Sequence, residues 1–157
     1  MQSLKYLYRI GKGPSSSHTM GPLAAAKRFL DENPDADSYK VILYGSLAKT
    51  GKGHMTDIAV SEIFAKKNCE IIFDCETPTD YHPNTMDIIA FSGGKESARK
   101  RFYSIGGGEV VAHGEKEDRH AEVYPLSSFT EISRALHRSS NLEISGMELP
   151  RSQLLTA

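Results

Sequence analysis

Two polar loops carry the residues of this chain that are best suited to chemistry. The first, Gly11–Pro22, has the sequence GKGPSSSHTMGP, in which three serines, a histidine and a threonine lie between glycine and proline residues. Glycine and proline fix the backbone path on both sides, and a helical pattern follows directly. A polar loop of this kind at a helix N-terminus is suited to holding a small anion such as a carboxylate or a phosphate.

The second loop, Gly45–Asp57, has the sequence GSLAKTGKGHMTD and lies between a predicted strand and a predicted helix. Phosphate-binding and catalytic loops occur at this position, but a P-loop requires Ser or Thr after its lysine, and glycine follows Lys52. His54 is the natural candidate for a proton-transfer group. The alternative is an exposed histidine beside a helix start capped by Thr56 or Asp57. Two histidine-bearing loops in one small domain favour a shared site.

The rest of the sequence predicts the elements that must hold these loops. Apolar residues recur at helical spacing in three segments, namely Met20–Leu30, Thr56–Lys67 and Leu126–Arg138. Five shorter runs are rich in β-branched and aromatic residues or bounded by glycines, as strands are: Tyr39–Tyr44, Glu70–Asp74, Thr85–Phe91, Ala98–Ile105 and Glu109–Ala112. We therefore predict an α+β fold, with a mixed sheet of about five strands and helices packed against it.

Composition limits the class of protein. A length of 157 residues is typical of one domain, and a net charge of -1 favours neither nucleic acid nor membrane as a partner. No apolar run approaches the ~20 residues that span a membrane, and no signal-peptide pattern is present, so a cytoplasmic protein is expected. The basic run Lys95–Arg101 is predicted to be a solvated strand or loop. Cys69 and Cys75 lack metal-site spacing and are predicted to be buried free thiols.

Three motifs, GPSSSHTMGP, YGSLAKTGKGHMTDIA and YSIGGGEVV, occur in this order. Together they resemble the β subunit or β domain of iron–sulfur L-serine dehydratase (L-serine ammonia-lyase). The resemblance covers about Lys5 to His113. It implies a β domain over residues 1–140, with residues 141–157 as a tail or linker toward an α domain or subunit. The β fold also resembles the allosteric substrate-binding domain of some D-3-phosphoglycerate dehydrogenases.

The resemblance implies an enzyme that deaminates L-serine to pyruvate and ammonia, in amino-acid degradation and gluconeogenesis. It also implies a 4Fe-4S cluster, held by cysteines of the α domain or subunit. Cys69 and Cys75 cannot replace those cysteines, because a cluster needs at least three thiolates or equivalent ligands, so no metal ligand is predicted in this chain. The implied partners are the α portion, the substrate L-serine and further copies of the same chain in a homo-oligomer.

The residues and the resemblance together predict the roles within the site. His54 would remove the α-proton, oriented by Thr56 or Asp57, and His18 is the alternative base. The predicted substrate-binding residues are Ser15, Ser16, Ser17, Thr19, Lys52, Thr56 and Asp57. A second interpretation is a non-catalytic regulatory domain that binds serine or another small anion. A third, a structural half of an oligomer, leaves the SSSHT run unexplained.

Overall fold

The computed structural model describes residues 10–116 and 128–144, with side chains described up to residue 138. These residues belong to two separate units: residues 10–116 lie in the larger, and residues 128–144 in the smaller. The larger unit begins with a π-helical turn, Ser16–Met20. Its three helices are α1 (Gly21–Glu32), α2 (Gly45–Thr50) and α3 (Thr56–Ile63). Its five strands are β1 (Ser38–Tyr44), β2 (Asn68–Asp74), β3 (Thr85–Ser92), β4 (Lys95–Gly106) and β5 (Glu109–Ala112).

The five strands form one mixed sheet in the order β2-β1-β3-β4-β5. Strands β1 and β2 are parallel, with Val41 opposite Ile71, and all other neighbours are antiparallel. A parallel pair needs a crossover connection, and here α2 and α3 form it. The predicted α+β class with a five-stranded mixed sheet is therefore confirmed. The topology places the second polar loop directly after the carboxyl end of β1.

The core lies between the sheet and helices α1 and α3. Alternate residues of β1, namely Tyr39, Val41 and Leu43, belong to it, as the period of two in a strand requires. Helices α1 and α3 contribute Ala25, Ala26, Phe29 and Val60, and Phe64, directly after α3, completes this side of the core. The ring of Phe64 stacks on Tyr39 with centroids 4.5 Å apart. This packing holds α1 and α3 side by side, so that their N-terminal ends lie close together.

An ion pair with a buried carboxylate connects β3 and β4. Asp87 is 3% exposed and lies opposite Arg101 in the strand register. Arg101 donates from Nε to Oδ1 at 2.6 Å and from Nη2 to Oδ2 at 2.8 Å, and the Tyr44 hydroxyl donates to Oδ2 at 3.1 Å. The hydrogen bonds to Asp87 raise the pKa of Arg101, while burial, and then Asp87, raise the pKa of Tyr44. The carboxylate is thus desolvated but fully paired.

The structure departs from the predictions in the second polar loop, at the end of α3 and at Cys75. The stretch Gly45–Thr50, predicted as loop with at most a short helical turn, is helix α2. Helix α3 ends at Ile63 instead of Lys67, because Phe64 is buried in the core and the chain must turn there to enter β2. Cys75 follows the end of β2 and is exposed, so only Cys69 is partly buried; burial raises its pKa to about 11. Both are free thiols, as predicted.

In the smaller unit, helix α4 spans Phe129–Ile144. Its start is a capping box: the Ser128 N–H donates to Glu131 Oε2 at 3.1 Å, and the Glu131 N–H donates to Ser128 Oγ at 3.2 Å. The predicted beginning at Leu126 lies outside the described residues, as do residues 145–157 of the predicted tail. None of the described helices is both long and apolar enough to cross a membrane.

Candidate active site

The first polar loop ends in the π-helical turn, which is fixed to the sheet. Ser15 caps the turn, since its Oγ accepts the His18 N–H at 3.2 Å. Ser104 of β4 donates from Oγ to the Ser17 carbonyl at 2.8 Å. Gly21 follows the turn, and a Cβ there would lie 2.0 Å from Ser104 Oγ, so only glycine lets α1 start this close to β4. The turn thereby carries His18 to a defined place beside the sheet.

The second polar loop turns tightly between α2 and α3. The N–H groups of His54 and Thr56 both donate to the Gly51 carbonyl, at 3.1 and 2.9 Å. Met55 closes the turn in the left-handed conformation, with φ 56°, and is the N-cap of α3. A left-handed conformation costs an L-residue roughly 1–2 kcal/mol. Such backbone strain concentrates at functional positions, and here it lies directly after His54 in the chain.

The structure brings the two predicted histidines together. The rings of His18 and His54 lie with centroids 4.6 Å apart and planes 32° apart. His18 Nδ1 is 3.0 Å from Ser17 Oγ, and its Nε2 is 3.0 Å from Ser46 Oγ. The pKa of His18 is lowered, first by burial and second by the neighbouring His54. Both nitrogens of His18 are therefore engaged, and its charged form is disfavoured.

The tautomer of His54 follows from its hydrogen bond. Its Nδ1 lies 3.0 Å from the Thr50 carbonyl oxygen. A carbonyl can only accept, so Nδ1 carries the proton, and in the neutral ring the lone pair is on Nε2. Within residues 10–116 and 128–138, no group is within hydrogen-bonding distance of that Nε2. Of the four imidazole nitrogens at this place, it is the one best prepared to accept a proton.

The serines of the first loop offer donors beside the histidines. Ser16 is exposed, whereas Ser15 and Ser17 are partly buried. Ser15 Oγ accepts from the His18 N–H, which leaves its own hydroxyl proton available to donate. The hydroxyl of Ser16 has no partner in the described part of the chain. Ser15 and Ser16 are thus suited to bind an anionic group, while the hydroxyl of Ser17 is hydrogen-bonded to the His18 ring.

The remaining predicted residues lie elsewhere than expected. Thr19 and Thr56 are both 0% exposed, with their hydroxyls bonded to backbone carbonyls, so neither contacts a substrate as the molecule stands. Asp57 accepts the N–H of Ile58 at 3.0 Å and does not bond to the His54 ring. The Lys52 ammonium lies 5.4 Å from the ring centroid of Phe73, with no contact to either histidine.

Two positioning contacts were not identified from the sequence. The Thr50 carbonyl, rather than Thr56 or Asp57, orients the His54 ring. A backbone carbonyl exists in every residue, so no residue type could have indicated it. Ser46, whose Oγ lies 3.0 Å from His18 Nε2, belongs to the second polar loop, and no residue pattern predicts this contact. Its signal is its place directly after Gly45, the glycine that follows β1.

Gly45 holds Ser46 in place, and its replacement by alanine should destabilise the protein by about 2 kcal/mol. Gly45 has φ +53°, and a Cβ there would lie 2.5 Å from the Pro83 carbonyl oxygen. Chemical unfolding should show this loss. Gly53→Ala is the matched control, since an added Cβ there comes no closer than 3.4 Å to its neighbours and φ is not positive. Equal midpoints for the two variants would contradict the prediction.

The described residues do not fit an iron–sulfur cluster. No group of three or more His, Cys, Asp or Glu side chains in residues 10–116 and 128–138 could hold a metal ion. The whole sequence contains two cysteines, and both belong to the edge of the sheet around β2. A cluster requires at least three thiolates or equivalent ligands.

Comparison with known proteins gives a consistent result. The family model described as serine dehydratase beta chain matches residues 3–62 and 61–115. L-serine dehydratase 2 of Escherichia coli is 32% identical over 192 residues, covering 94% of this chain and 42% of that protein. L-serine dehydratase of Haemophilus influenzae is 32% identical, covering 90% of this chain and 41% of that protein, and that of Helicobacter pylori strain J99 is 29% identical over 90% and 42%.

This chain spans about two fifths of the length of these curated relatives. Since the first alignment runs over 192 residues and the chain has 157, the Escherichia coli protein carries at least 35 extra positions within it. The family match nevertheless includes both polar loops and the whole sheet, since it reaches from residue 3 to residue 115. On these grounds, the chain belongs to the serine dehydratase beta chain family.

Proposed function

We propose that this chain is the β portion of an L-serine ammonia-lyase, which deaminates L-serine to pyruvate and ammonia together with an α portion. The observation that carries the proposal is the pair of facing imidazoles beside a turn of serine hydroxyls, in which the lone pair of His54 Nε2 has no partner among residues 10–116 and 128–138. The family membership and the relatives named L-serine dehydratase support it. The α portion would also carry the 4Fe-4S cluster, since the described residues offer no group of ligands for it and the sequence has two cysteines.

The serine turn would bind the substrate carboxylate. Ser15 and Ser16 can each donate a hydroxyl proton to an anion, as described above. Hydrogen bonds to a charged acceptor are about twice as strong as those between neutral groups. Lys52, predicted as a further anchor, is held over Phe73, and we assign it no direct contact with the substrate.

His54 would act as the base. Its Nε2 would accept the proton from the substrate α-carbon, and the ring would become an imidazolium. Nδ1–H already donates to the Thr50 carbonyl oxygen. This hydrogen bond would stabilise the positive charge that develops on the ring and keep the ring in its orientation. His18 cannot take over this role without giving up a hydrogen bond to Ser17 or Ser46. We therefore assign His18 to holding the neighbouring polar groups in position.

A reconstitution assay tests the proposed function. The chain is co-expressed with the α portion of a serine dehydratase under anaerobic conditions, and pyruvate is measured after L-serine is added. We expect pyruvate from the complex and none from either part alone, since the base and the cluster ligands lie on different portions. A complex that is loaded with its cluster and forms no pyruvate would exclude the lyase function.

A cavity whose lining includes neither His18 nor His54 supports the regulatory alternative. It measures about 200 Å³ and is lined by polar and aromatic side chains, among them Arg101, Tyr81, Tyr103 and His113. The Tyr103 hydroxyl lies 2.7 Å from His113 Nδ1, and Arg101 keeps guanidinium N–H groups beyond those bonded to Asp87. Such a cavity could bind a small anion without chemistry. A pyruvate-free complex that binds L-serine would favour this alternative.

A further inference from the structure

The two polar loops are joined by a pair of crossed hydrogen bonds. Thr19, next to His18 in the chain, donates from Oγ1 to the carbonyl of His54 at 2.9 Å. Thr56, two residues after His54, donates from Oγ1 to the carbonyl of His18 at 2.5 Å. Each threonine thus holds the backbone of the other loop's histidine. We call this arrangement, formed by Thr19, Thr56 and these two carbonyls, the threonine clasp.

The clasp is not the usual hydrogen bonding of threonine in helices. There a threonine hydroxyl commonly bonds a carbonyl three or four residues earlier in its own helix. In the clasp the partners are 35 and 38 residues apart in the chain. Within its own loop, Thr19 Oγ1 accepts the Ser15 N–H at 3.4 Å, which is longer than its 2.9 Å bond to the His54 carbonyl. Both hydroxyls are therefore directed at the opposite loop.

The two imidazoles need an external constraint to stay face to face. Two histidine rings attract each other weakly, and their charged forms repel. Each ring also has its own hydrogen-bond partners: Ser17 and, from the second polar loop, Ser46 for His18, and the Thr50 carbonyl for His54. These bonds hold the ring atoms, not the main chain, of the two histidines. The two bonds of the clasp each tie the backbone carbonyl of one histidine to a threonine side chain of the other loop. Both threonines are 0% exposed, so water cannot compete for these bonds.

We propose that Thr19 and Thr56 are positioning residues, which set the distance between the His18 and His54 rings through the threonine clasp. The catalytic consequence of that distance rests on the proposed function, but the positioning itself does not. A base displaced by about 1 Å can lose roughly 10²-fold in rate. Loss of the clasp should therefore lower kcat and leave KM nearly unchanged, because the serines that would bind the substrate are on a turn fixed separately by Ser104.

The test compares Thr56→Val with Thr56→Ser in the 157-residue chain. Valine has a similar shape without the hydroxyl, whereas serine keeps it. With isotope-labelled histidine, the nuclear Overhauser effect between the rings of His18 and His54 is measured directly. We expect it in the wild type and in Thr56→Ser, and we expect it to be lost in Thr56→Val. Thr19→Val, on the opposite loop, should show the same loss and decides the question if Thr56→Val does not fold.

The two possible failures are distinguishable. If the effect between the rings persists in folded Thr56→Val and Thr19→Val, the clasp does not set the ring distance and the inference is wrong. The same variants are then assayed with the α portion. If the rings separate but kcat stays at the wild-type value, positioning by the threonines holds and the proposed role of the histidine pair fails. If kcat is roughly 10²-fold lower in Thr56→Val and close to the wild-type value in Thr56→Ser, both the positioning by the threonines and the proposed role of the histidine pair are supported.

Discussion

His54→Asn should lower kcat of the reconstituted enzyme by roughly 10²- to 10⁴-fold, the usual contribution of a general base. Asparagine can still place an N–H near the position of Nδ1 and donate to the Thr50 carbonyl, so the turn keeps its hydrogen bond. It has no basic nitrogen in place of Nε2, and the α-proton of the substrate would have no acceptor. Steady-state pyruvate formation at saturating L-serine measures the change.

Two further variants make this result specific. His18→Asn should lower kcat less than His54→Asn, because both nitrogens of His18 are already engaged by serine hydroxyls. His113→Gln, at an exposed histidine that bonds to Tyr103, should keep kcat close to the wild-type value. A near-normal turnover of His54→Asn together with an inactive His18→Asn would reverse the assignment and make His18 the base.

Arg101→Ala should destabilise the fold by about 3 kcal/mol, which corresponds to a thermal midpoint lower by roughly 10 °C. The substitution removes the bidentate hydrogen bonds of Arg101 to the carboxylate of Asp87, whose side chain is 4% exposed. A buried charge that loses its partner is costly, because water cannot replace the lost hydrogen bonds. The Arg101 side chain is 45% exposed, so the lower end of the usual range applies. Thermal and denaturant unfolding measure the effect.

Arg99→Ala is the matched control on the same strand. Arg99 pairs with the exposed Glu96 at 2.8 Å and is 4.0 Å from Asp87, so its loss should cost less than about 1 kcal/mol. The double variant Asp87→Asn with Arg101→Gln should recover at least half of the loss, since it leaves no lone charge and Tyr44 can still donate to the amide oxygen. If Arg99→Ala and Arg101→Ala lower the free energy of unfolding equally, the Asp87–Arg101 ion pair contributes little to stability.

The strands and long helices could be predicted because their signals are local. The alternation that predicts Tyr39–Tyr44 is the one that directs Tyr39, Val41 and Leu43 into the core, and the observed strand begins one residue earlier, at Ser38. Helix α2 gave a weaker signal. It has only six residues, with glycine at its first position and another directly after its end. The glycines predicted a loop, whereas the structure uses Gly45 for a left-handed start to a helix.

The proximity of the two histidine-bearing loops could be predicted, but the arrangement of their side chains could not. The composition of the two loops indicated His18 and His54, and the crossover between β1 and β2 brings them together. Thr19 and Thr56 were assigned to the substrate because a hydroxyl in a polar loop has the same sequence signal whether it points outward or inward. Their direction depends on the packing of α1 against α3, which is a contact between distant segments.

The threonine clasp ends on main-chain carbonyls, and every amino acid has one. The residues that build the scaffold are therefore different from those that would do its chemistry, so positions 18 and 54 can vary while the crossed hydrogen bonds remain. A carboxylate, a thiol or an amide at position 54 would be presented at the same place on the same turn. The two loops thus form a scaffold on which the side chains at positions 18 and 54 can be exchanged, by evolution or by design, without a change of fold.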